Sequence, residues 1–461
     1  MPNDVAPPTV RFAPSPTGNV HIGNIRTAIL NWLFARAHGG TVILRFDDTD
    51  RERARSEFAD NIVEDLTWLG LDFDRLERQS DRTALFSEAA DRLRKTGRLY
   101  PCFETAEDVD RKRKLQRARG LPPIYDRAAL KLTADEIAAR EAEGRKPHWR
   151  FLLDNAGDTL GGTPQPTPVV WDDLIRGHQT VDAGSLSDPV MIREDGSYLY
   201  TFTSVVDDAD MGITHIVRGE DHVTNTAVQL QLFEALGSKA PEFAHHSLMV
   251  GADGAALSKR LGDLSIRQFR EDGLEPEAVA SLAALIGTSD PIEPHADTVS
   301  LAQLFAFSKI SRSPARFDVN DVVALNAKLL QNADFDRVAD QLKAHGVDGG
   351  EAFWRAIRGN VERISDSARW WQVVSEPLTP VIEDEVVTGA AAQLMPDGEL
   401  GPDNWSAWMD AIKAETGKKG RALFMPIRLA LTGEKSGPEL APLGPIIGRE
   451  RILARLKGDR A

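Results

Sequence analysis

The sequence predicts an α/β fold that is interrupted by an insertion and followed by an all-α region. Three observations carry this. A β-branched run at residues 9–12 leads through a glycine-bearing loop into a helical repeat and a second strand. A stretch rich in Pro, Gly and basic residues, from about 101 to 190, breaks the alternation. From about 319 onward, helical spacing dominates with Pro and Gly breaks. At 461 residues the chain has room for several domains, and 42% hydrophobic with 27% charged residues is the make-up of a globular protein.

Taken in order, residues 9–12 and 41–46 read as strands, with Ile25, Ala28, Ile29, Trp32 and Ala35 at helical spacing between them and a break at Gly39-Gly40. Phe58, Ile62, Leu66 and Leu69 then share one face of a helix that ends at Gly70. The irregular stretch follows, with the proline-rich residues 161–168 near its end. It has the character of an insertion between two halves of one fold. Strand-like runs at 190–193, 198–206 and 215–218 are expected to resume the sheet, and Asn225 or Thr226 to cap a helix ending at Gly237. Beyond 319, Trp354, Trp370, Trp371, Trp405 and Trp408 supply bulky core for helices.

No run of 18 apolar residues occurs, so no membrane-spanning helix is expected. The first residues, Met-Pro-Asn-Asp-Val-Ala-Pro-Pro, lack the basic flank and apolar core of a signal peptide, and a cytoplasmic location is expected. Cys102 is the single cysteine, which excludes an internal disulfide and a cysteine-rich zinc site.

The chemistry concentrates in two segments. Residues 11–24 read Arg-Phe-Ala-Pro-Ser-Pro-Thr-Gly-Asn-Val-His-Ile-Gly-Asn and join the first strand to the first helix. A helix N-terminus offers unpaired N–H groups and partial positive charge to an anion. Gly18 and Gly23 are expected to let the backbone approach a ligand, and His21 to donate to a phosphate oxygen. The dinucleotide fingerprint is absent, as is a G-x-x-x-x-G-K-[ST] loop, which disfavours a nicotinamide enzyme and a P-loop ATPase. Far along the chain, residues 253–266 carry Ser258, Lys259 and Arg260 between glycines. Adjacent cations there suit the charge that builds on phosphoryl oxygens during transfer.

Together, Pro-Ser-Pro-Thr-Gly-x-x-His-x-Gly and Leu-Ser-Lys-Arg resemble the paired signature motifs of class I aminoacyl-tRNA synthetases, and the glutamyl-tRNA synthetase branch most of all. Residues 47–50, 204–208, 211–222 with Asn225 and Thr226, and 424–433 agree with that branch, so the resemblance runs from about residue 9 to the C-terminus. It implies a Rossmann-type catalytic domain (1–100 and 191–245) holding an acceptor-end-binding insertion (101–190). A stem-contact region with the Lys259 loop (246–318) and two helical anticodon-binding subdomains (319–378 and 379–461) complete it. The implied activity is ATP-dependent attachment of L-glutamate to tRNA through a glutamyl-adenylate, with Mg²⁺ and without structural zinc, by a monomer.

The resemblance also implies residue roles. His21 and Lys259, with Arg260 and Thr17, would act at the α-phosphate, and Gly18, Gly23, Asn24 and Ser258 would join them in holding ATP. Glutamate brings two carboxylates and an ammonium, so its site needs cations, for which the planar fork of Arg is suited, and an acceptor. Arg11, Arg218, Ser15, Tyr200 and Asp47 match the family's glutamate-contacting positions. Three departures stand out: Asn24 replaces the second histidine of the class-wide motif, Ala256 stands where a Lys is usual, and Asp47 is one methylene shorter than the family Glu.

A net charge of −15 puts weight on where the cations lie. Arg111, Lys112, Arg113 and Lys114, with Arg117 and Arg119, form one basic strip; Lys418, Lys419 and Arg421, with Arg428, form another; Arg449, Arg451, Arg455 and Lys457 form a third. Such strips could guide tRNA across an acidic body. The partner would be tRNA(Glu), with tRNA(Gln) a second possibility. Alternatives are a glutaminyl-tRNA synthetase, a paralogue that glutamylates a modified tRNA base, and a tRNA-binding relative that has lost catalysis. The helical C-terminal region and the presence of His21, Lys259, Arg11 and Arg218 disfavour them.

Overall fold

The computed structural model describes residues 6–50, 52–156, 164–255, 257, 264–398 and 400–461. The chain divides into two compact units, Met1–Phe269 with Val279–Asp318, and Arg270–Ala278 with Val319–Ala461.

In the first unit, β1 (Thr9–Phe12), α1 (Ile22–Ala37), β2 (Thr41–Phe46), α2 (Ser56–Trp68) and β3 (Arg75–Arg78) build a parallel sheet ordered β1-β2-β3. The α2 helix closes at Gly70, which takes φ +74° as the position after the helix requires. After α3 (Thr83–Lys95) come β4 (Leu99–Cys102), α4 (Ala106–Ala118), α5 (Ala134–Ala142), β5 (His148–Phe151), β6 (Pro168–Asp173), β7 (Gly177–Asp182) and β8 (Val190–Ile192). The chain then runs through α6 (Tyr200–Asp210), β9 (His215–Gly219), α7 (Val223–Ala235), β10 (Glu242–His246) and β11 (Met249–Gly251), and β12 (Ala315–Phe317) later pairs with β11.

β9 and β10 run parallel, and β9 meets β1 where Thr214 N donates to Thr9 O at 2.9 Å. From β1 the chain crosses to β2 on one side; from β9 it crosses to β10 on the other. The reversal leaves a crevice beyond the carboxyl ends of β1 and β9, the place where open α/β sheets bind ligands.

Four expectations need correction. Residues 198–206 do not form a strand: from Tyr200 they are α6, because Phe202, Val205 and Val206 fall at helical spacing and bury against Ile216 and Phe243 of the sheet. The β-branched and aromatic content that suggested a strand is overridden by that packing. β8 does not resume the parallel sheet but pairs antiparallel with β5, in the small sheet β4-β5-β8. Residues 168–182, read as irregular, form a β6–β7 hairpin docked on β10 at Phe243↔Asp173. Finally, α7 begins at Val223 with His222 as its N-cap, so Asn225 and Thr226 lie inside the first turn.

The second unit is helical, from Val319–Asn332 to Arg449–Leu456. Trp354, Trp370, Trp405 and Trp408 are buried in one cluster, and the indole N–H groups of Trp354 and Trp408 donate to Ala333 O (2.9 Å) and Ala391 O (3.0 Å). Trp371 packs on the edge of the same cluster. Arg455 departs from the basic strip assigned to it. It is fully buried and donates to the carbonyls of Val373, Leu431, Glu376 and Ala461, tying the C-terminal helix to its neighbours. Arg449 and Arg451 likewise bond carbonyls, of Pro396 and Val374.

Within the first unit, a buried charge network joins the two halves of the sheet. Arg45 of β2 is fully buried; its Nη1 donates to Asp208 Oδ1 at 2.7 Å and its Nε to Asp47 Oδ1 at 2.8 Å. Arg11 of β1 donates to both oxygens of Asp208, at 3.1 and 3.3 Å. Arg82 and Gln79 bind the adjacent Asp207, at 2.7 and 2.8 Å. Burial alone would raise the pKa of Asp208, but Arg11 and Arg45 outweigh it and hold the carboxyl below its usual range. Burial does prevail at Asp47, whose pKa is pushed up to about 6 in spite of Arg45.

Removing Asp208 as Ala strands two buried guanidinium groups, and a loss of about 3–5 kcal/mol is expected. Chemical unfolding of the variant tests this; a loss below about 1 kcal/mol would mean the network is not what holds the halves. The two aspartates also have opposite pH signatures. Asp208, depressed in the fold, contributes stability at neutral pH that is lost as pH falls below about 4. Asp47, raised in the fold, contributes stability below about 4 that is lost as pH rises through about 6.

Candidate active site

At the crevice, a cleft of about 620 Å³ opens between the β1–α1 loop and the β9–α7 connection. Arg11, Ser15, Thr17, His21, Gly23, Asn24, Tyr200 and Arg218 line it. Of the other expected residues, Gly18 and Asp47 are not among those lining it, and Ser258, Lys259 and Arg260, with Ala256, lie outside the described residues. Leu257 lines the same cleft.

The β1–α1 loop is pinned from behind. Asp47 N donates to Pro14 O and Arg55 N to Pro16 O, both at 3.1 Å, while Thr17 N donates to Ser15 O at 2.8 Å. Asp47 therefore supports the loop through its backbone, and its carboxylate is bound to Arg45 rather than presented to the cleft.

His21 caps α1, and its Nδ1 accepts from Gly23 N at 3.1 Å. A Cβ at Gly23 would stand 2.9 Å from the His21 ring, so glycine is needed there to seat the imidazole. Gly18 has open space where a Cβ would point. The first N–H groups of α1 do not stand free as expected: Ile22 N donates to Leu264 O (3.1 Å), Gly23 N to His21, and Asn24 N to His21 O (2.9 Å). What the terminus retains for an anion is its partial charge and the side chains around it.

Behind this end, Thr27 and His246 line the cleft and were not anticipated. His246 Nδ1 meets the carbonyl of Ser247 at 3.0 Å, so it carries the proton, and Nε2 accepts from the Thr27 hydroxyl at 3.0 Å. Burial holds this imidazole neutral, with its pKa pushed down to about 3.

The cleft is also lined by two arginines. Arg11 is held by Asp208. Arg218, 5% exposed, donates from Nε to His245 Nε2 (3.1 Å) and from Nη2 to Thr226 Oγ1 (2.7 Å), and its buried Nη1 has no hydrogen-bond partner among the described residues. Burial pushes its pKa down, with the nearby Tyr200 hydroxyl acting against this. His222, also in the cleft, sits 5.6 Å from the Tyr200 ring, and burial and the Arg218 charge lower its pKa. The sequence marked His222 only as part of a matching segment.

Among the described residues, the cleft has one carboxylate in its lining, Asp221. In the insertion, ligand atoms of Cys102, Glu104 and His148 lie within 4.8 Å of one another, a grouping that a count of cysteines could not reveal. The Tyr125 hydroxyl already bridges it, donating to Glu104 Oε1 at 2.7 Å beside Cys102 Sγ at 3.6 Å. Burial pushes the thiol up to about 12.

Of the basic strips, α4 has no buried residue, so Arg111, Arg113 and Lys114 are exposed and Lys112 half-buried; Arg111 pairs with Asp108 and Lys112 with Asp126. Lys418, Lys419 and Arg421 are exposed, with Lys418 3.4 Å from Asp384, and Phe424 beside them is 48% exposed.

Residues 8–324 match the family model of tRNA synthetases class I (E and Q), catalytic domain, and residues 383–459 that of an anticodon binding domain. A glutamate–tRNA ligase of Methylorubrum populi is 55% identical over 99% of this chain and all of its own length. One from Maricaulis maris is 54% identical over 98% of this chain and 99% of its own. A crystal structure of a glutamate tRNA ligase from Elizabethkingia meningosepticum, in complex with its amino acid, superposes with a TM-score of 0.84 at 26% identity, covering 98% of both chains. With a Rossmann-type catalytic fold, a helical C-terminal unit and end-to-end likeness at this level, the chain belongs to the glutamate–tRNA ligase family of class I aminoacyl-tRNA synthetases.

Proposed function

We propose that the chain attaches L-glutamate to tRNA at the expense of ATP, through a glutamyl-adenylate. Arg218 carries the reading: a guanidinium at the cleft, held by neutral groups and with a buried Nη1 that has no hydrogen-bond partner among the described residues, suits an anionic substrate group. Arg11, Ser15 and Tyr200 complete the amino-acid end, and His21, Thr17, Asn24 and Gly23 the nucleotide end. Asp47 acts behind the loop that carries Ser15.

In the first step the glutamate α-carboxylate attacks the α-phosphorus in line, and the bond to pyrophosphate breaks. His21, with Lys259 and Arg260 from the sequence motif, stabilises the charge on the phosphoryl oxygens; positioning and electrostatics carry such a transfer. Mg²⁺ would neutralise charge on the departing pyrophosphate, and among the described residues lining the cleft Asp221 is the carboxylate that could help hold it. In the second step the terminal 2′-hydroxyl of tRNA attacks the activated carbonyl and AMP leaves. Exposed α4 and the 418–421 segment are the surfaces assigned to tRNA. The protein works as a cytoplasmic monomer, and tRNA(Glu) is the substrate, with tRNA(Gln) a second acceptor to be tested.

Charging purified tRNA(Glu) and tRNA(Gln) with labelled glutamate tests the whole reading; failure to charge either would reject it. Arg218→Gln should weaken glutamate binding and narrow the preference over glutamine, because the site's buried cation then no longer discriminates between carboxylate and amide. Unchanged preference in steady-state activation kinetics would remove Arg218 from the site.

Gly23→Ala should lower the rate of pyrophosphate exchange by roughly tenfold or more, through the displaced His21 ring, while stability stays level or rises by up to about 1 kcal/mol from helix propensity. A loss of stability with the exchange rate intact would reverse that assignment. The Cys102 cluster is proposed to be a hydrogen-bonded core closed by Tyr125 rather than a zinc site. Zinc chelation should therefore leave melting temperature and charging unchanged once Mg²⁺ is restored; stoichiometric zinc in the purified protein would overturn this.

A further inference from the structure

The two arginines of the cleft differ in what holds them. Arg11 is neutralised by Asp208, whereas the hydrogen-bond partners of Arg218 are uncharged. One of those partners, His245, is completely buried, and its other nitrogen, Nδ1, lies 2.5 Å from Asp173 Oδ2. Asp173 is itself fixed, since its Oδ1 accepts from the backbone N–H groups of Ile175 (3.0 Å), Arg176 (2.8 Å) and His245 (3.1 Å).

These contacts determine the tautomer. An ionised carboxylate only accepts, so the proton of the His245 ring lies on Nδ1 and Nε2 presents a lone pair. Arg218 Nε donates to that lone pair. With the proton on Nε2 instead, or on both nitrogens, the ring would point an N–H at the guanidinium. Asp173 therefore governs, through one imidazole, whether Arg218 Nε finds an acceptor, while Thr226 Oγ1, itself 3.1 Å from His245 Nε2, holds Nη2. The hairpin residue that docks β6 on β10 is the same Asp173.

We propose that Asp173 and His245 are positioning residues for the amino-acid site: Asp173 sets the His245 tautomer, and His245 aims Arg218 while leaving its charge uncompensated for a substrate carboxylate. A protein carboxylate in place of His245 would hold Arg218 as firmly and compete with the substrate for its charge. The inference rests on the reading of Arg218 as the contact to a glutamate carboxylate.

Asp173→Asn and His245→Gln, singly and together, test the relay in pyrophosphate exchange with tRNA supplied. Asparagine keeps an oxygen for the backbone N–H groups but turns an N–H toward the ring, which reverses the tautomer. Asp173→Asn should raise KM for glutamate about tenfold or more, leave KM for ATP near its normal value, and weaken discrimination against glutamine. Glutamine at 245 offers an oxygen near the place of Nε2 and has no tautomer, so His245→Gln should raise KM for glutamate, but by less than Asp173→Asn does in the wild-type background. Placed in that background, Asp173→Asn should cost little more. An equal penalty in both backgrounds would make Asp173 merely structural, and an unaltered glutamate KM in Asp173→Asn would also overturn the relay.

Should Asp173→Asn fail to fold by its melting curve, His245→Phe against His245→Gln decides: a larger rise in glutamate KM with Phe than with Gln supports the relay, and an equal rise overturns it. Arg218→Gln measured alongside separates the two ideas. If it leaves glutamate KM unaltered, the site reading itself has failed; if it raises KM while Asp173→Asn does not, only the relay has.

Discussion

The contact between Arg45 and Asp208 is the one on which the rest of the site depends. Its partners lie far apart in sequence, on β2 and on α6, with the whole insertion between them. Arg45 has no exposure at all, and moving a guanidinium out of water costs several kcal/mol unless carboxylates meet it. Asp47 and Asp208 meet it directly, with Asp207 3.8 Å away. Because Asp208 also receives Arg11, any shift of α6 relative to the sheet would unseat the arginine that lines the cleft. The second half of the fold is thus registered against the first by charges that tolerate no misplacement, which suits a site assembled from both.

That registration gives two cations of different electrostatic standing. Arg11 shares Asp208 with Arg45, so part of its charge is already balanced. Arg218 carries a desolvated charge with neutral hydrogen-bond partners. A substrate carboxylate entering the cleft therefore gains more at Arg218, where it replaces no protein anion. A neutral amide entering the same place leaves the buried charge unmatched, and unpaired buried groups are what give polar sites their discrimination. On the proposed reading, selectivity comes from withholding a protein carboxylate, which shows only when the surroundings of both guanidinium groups are compared.

Local patterns in the sequence were enough for β1, α1, β2 and α2, whose ends are set by Gly70 and by the break at 39–40. The eight cleft residues that the family resemblance named were legible because most lie on one continuous loop and helix start, with Tyr200 and Arg218 in matching segments elsewhere. What failed had non-local causes. α6 looked like a strand until its Phe202 and Val205 were seen to pack on distant strands, and the 168–182 hairpin, paired within itself, is seated on the sheet by β10 at Phe243↔Asp173, about seventy residues apart. Asp47 is the exception: its partner Arg45 stands only two residues before it, and positions i and i+2 of an extended chain share a face, so the pairing that takes its carboxylate was a local signal. His245 and Asp173 carry no motif at all; their role exists only in the contact they make across the sheet. Arg455 read as one more surface cation, yet its helix face turns inward to four carbonyls.

The nucleotide end shows the same dependence on what is already spent. A free helix N-terminus can hold phosphate with backbone N–H groups alone. Here Leu264 O and the His21 cap have taken the first N–H groups of α1, so the fold has traded that capacity for a fixed imidazole and for an anchored return of the chain at 264–266. Leu257, on the near side of the segment that carries Ser258, Lys259 and Arg260, lines the cleft, and Leu264, on its far side, is bonded to the first residue of α1. With the backbone donors committed, charge on the phosphoryl oxygens has to be met by side chains, and a terminus of partial charge favours the anion without fixing its geometry. On the proposed function, the burden of stabilising the transferring phosphate falls on the cations of the sequence motif and on His21, which would make chemistry at the α-phosphate separable from the binding of glutamate at Arg218.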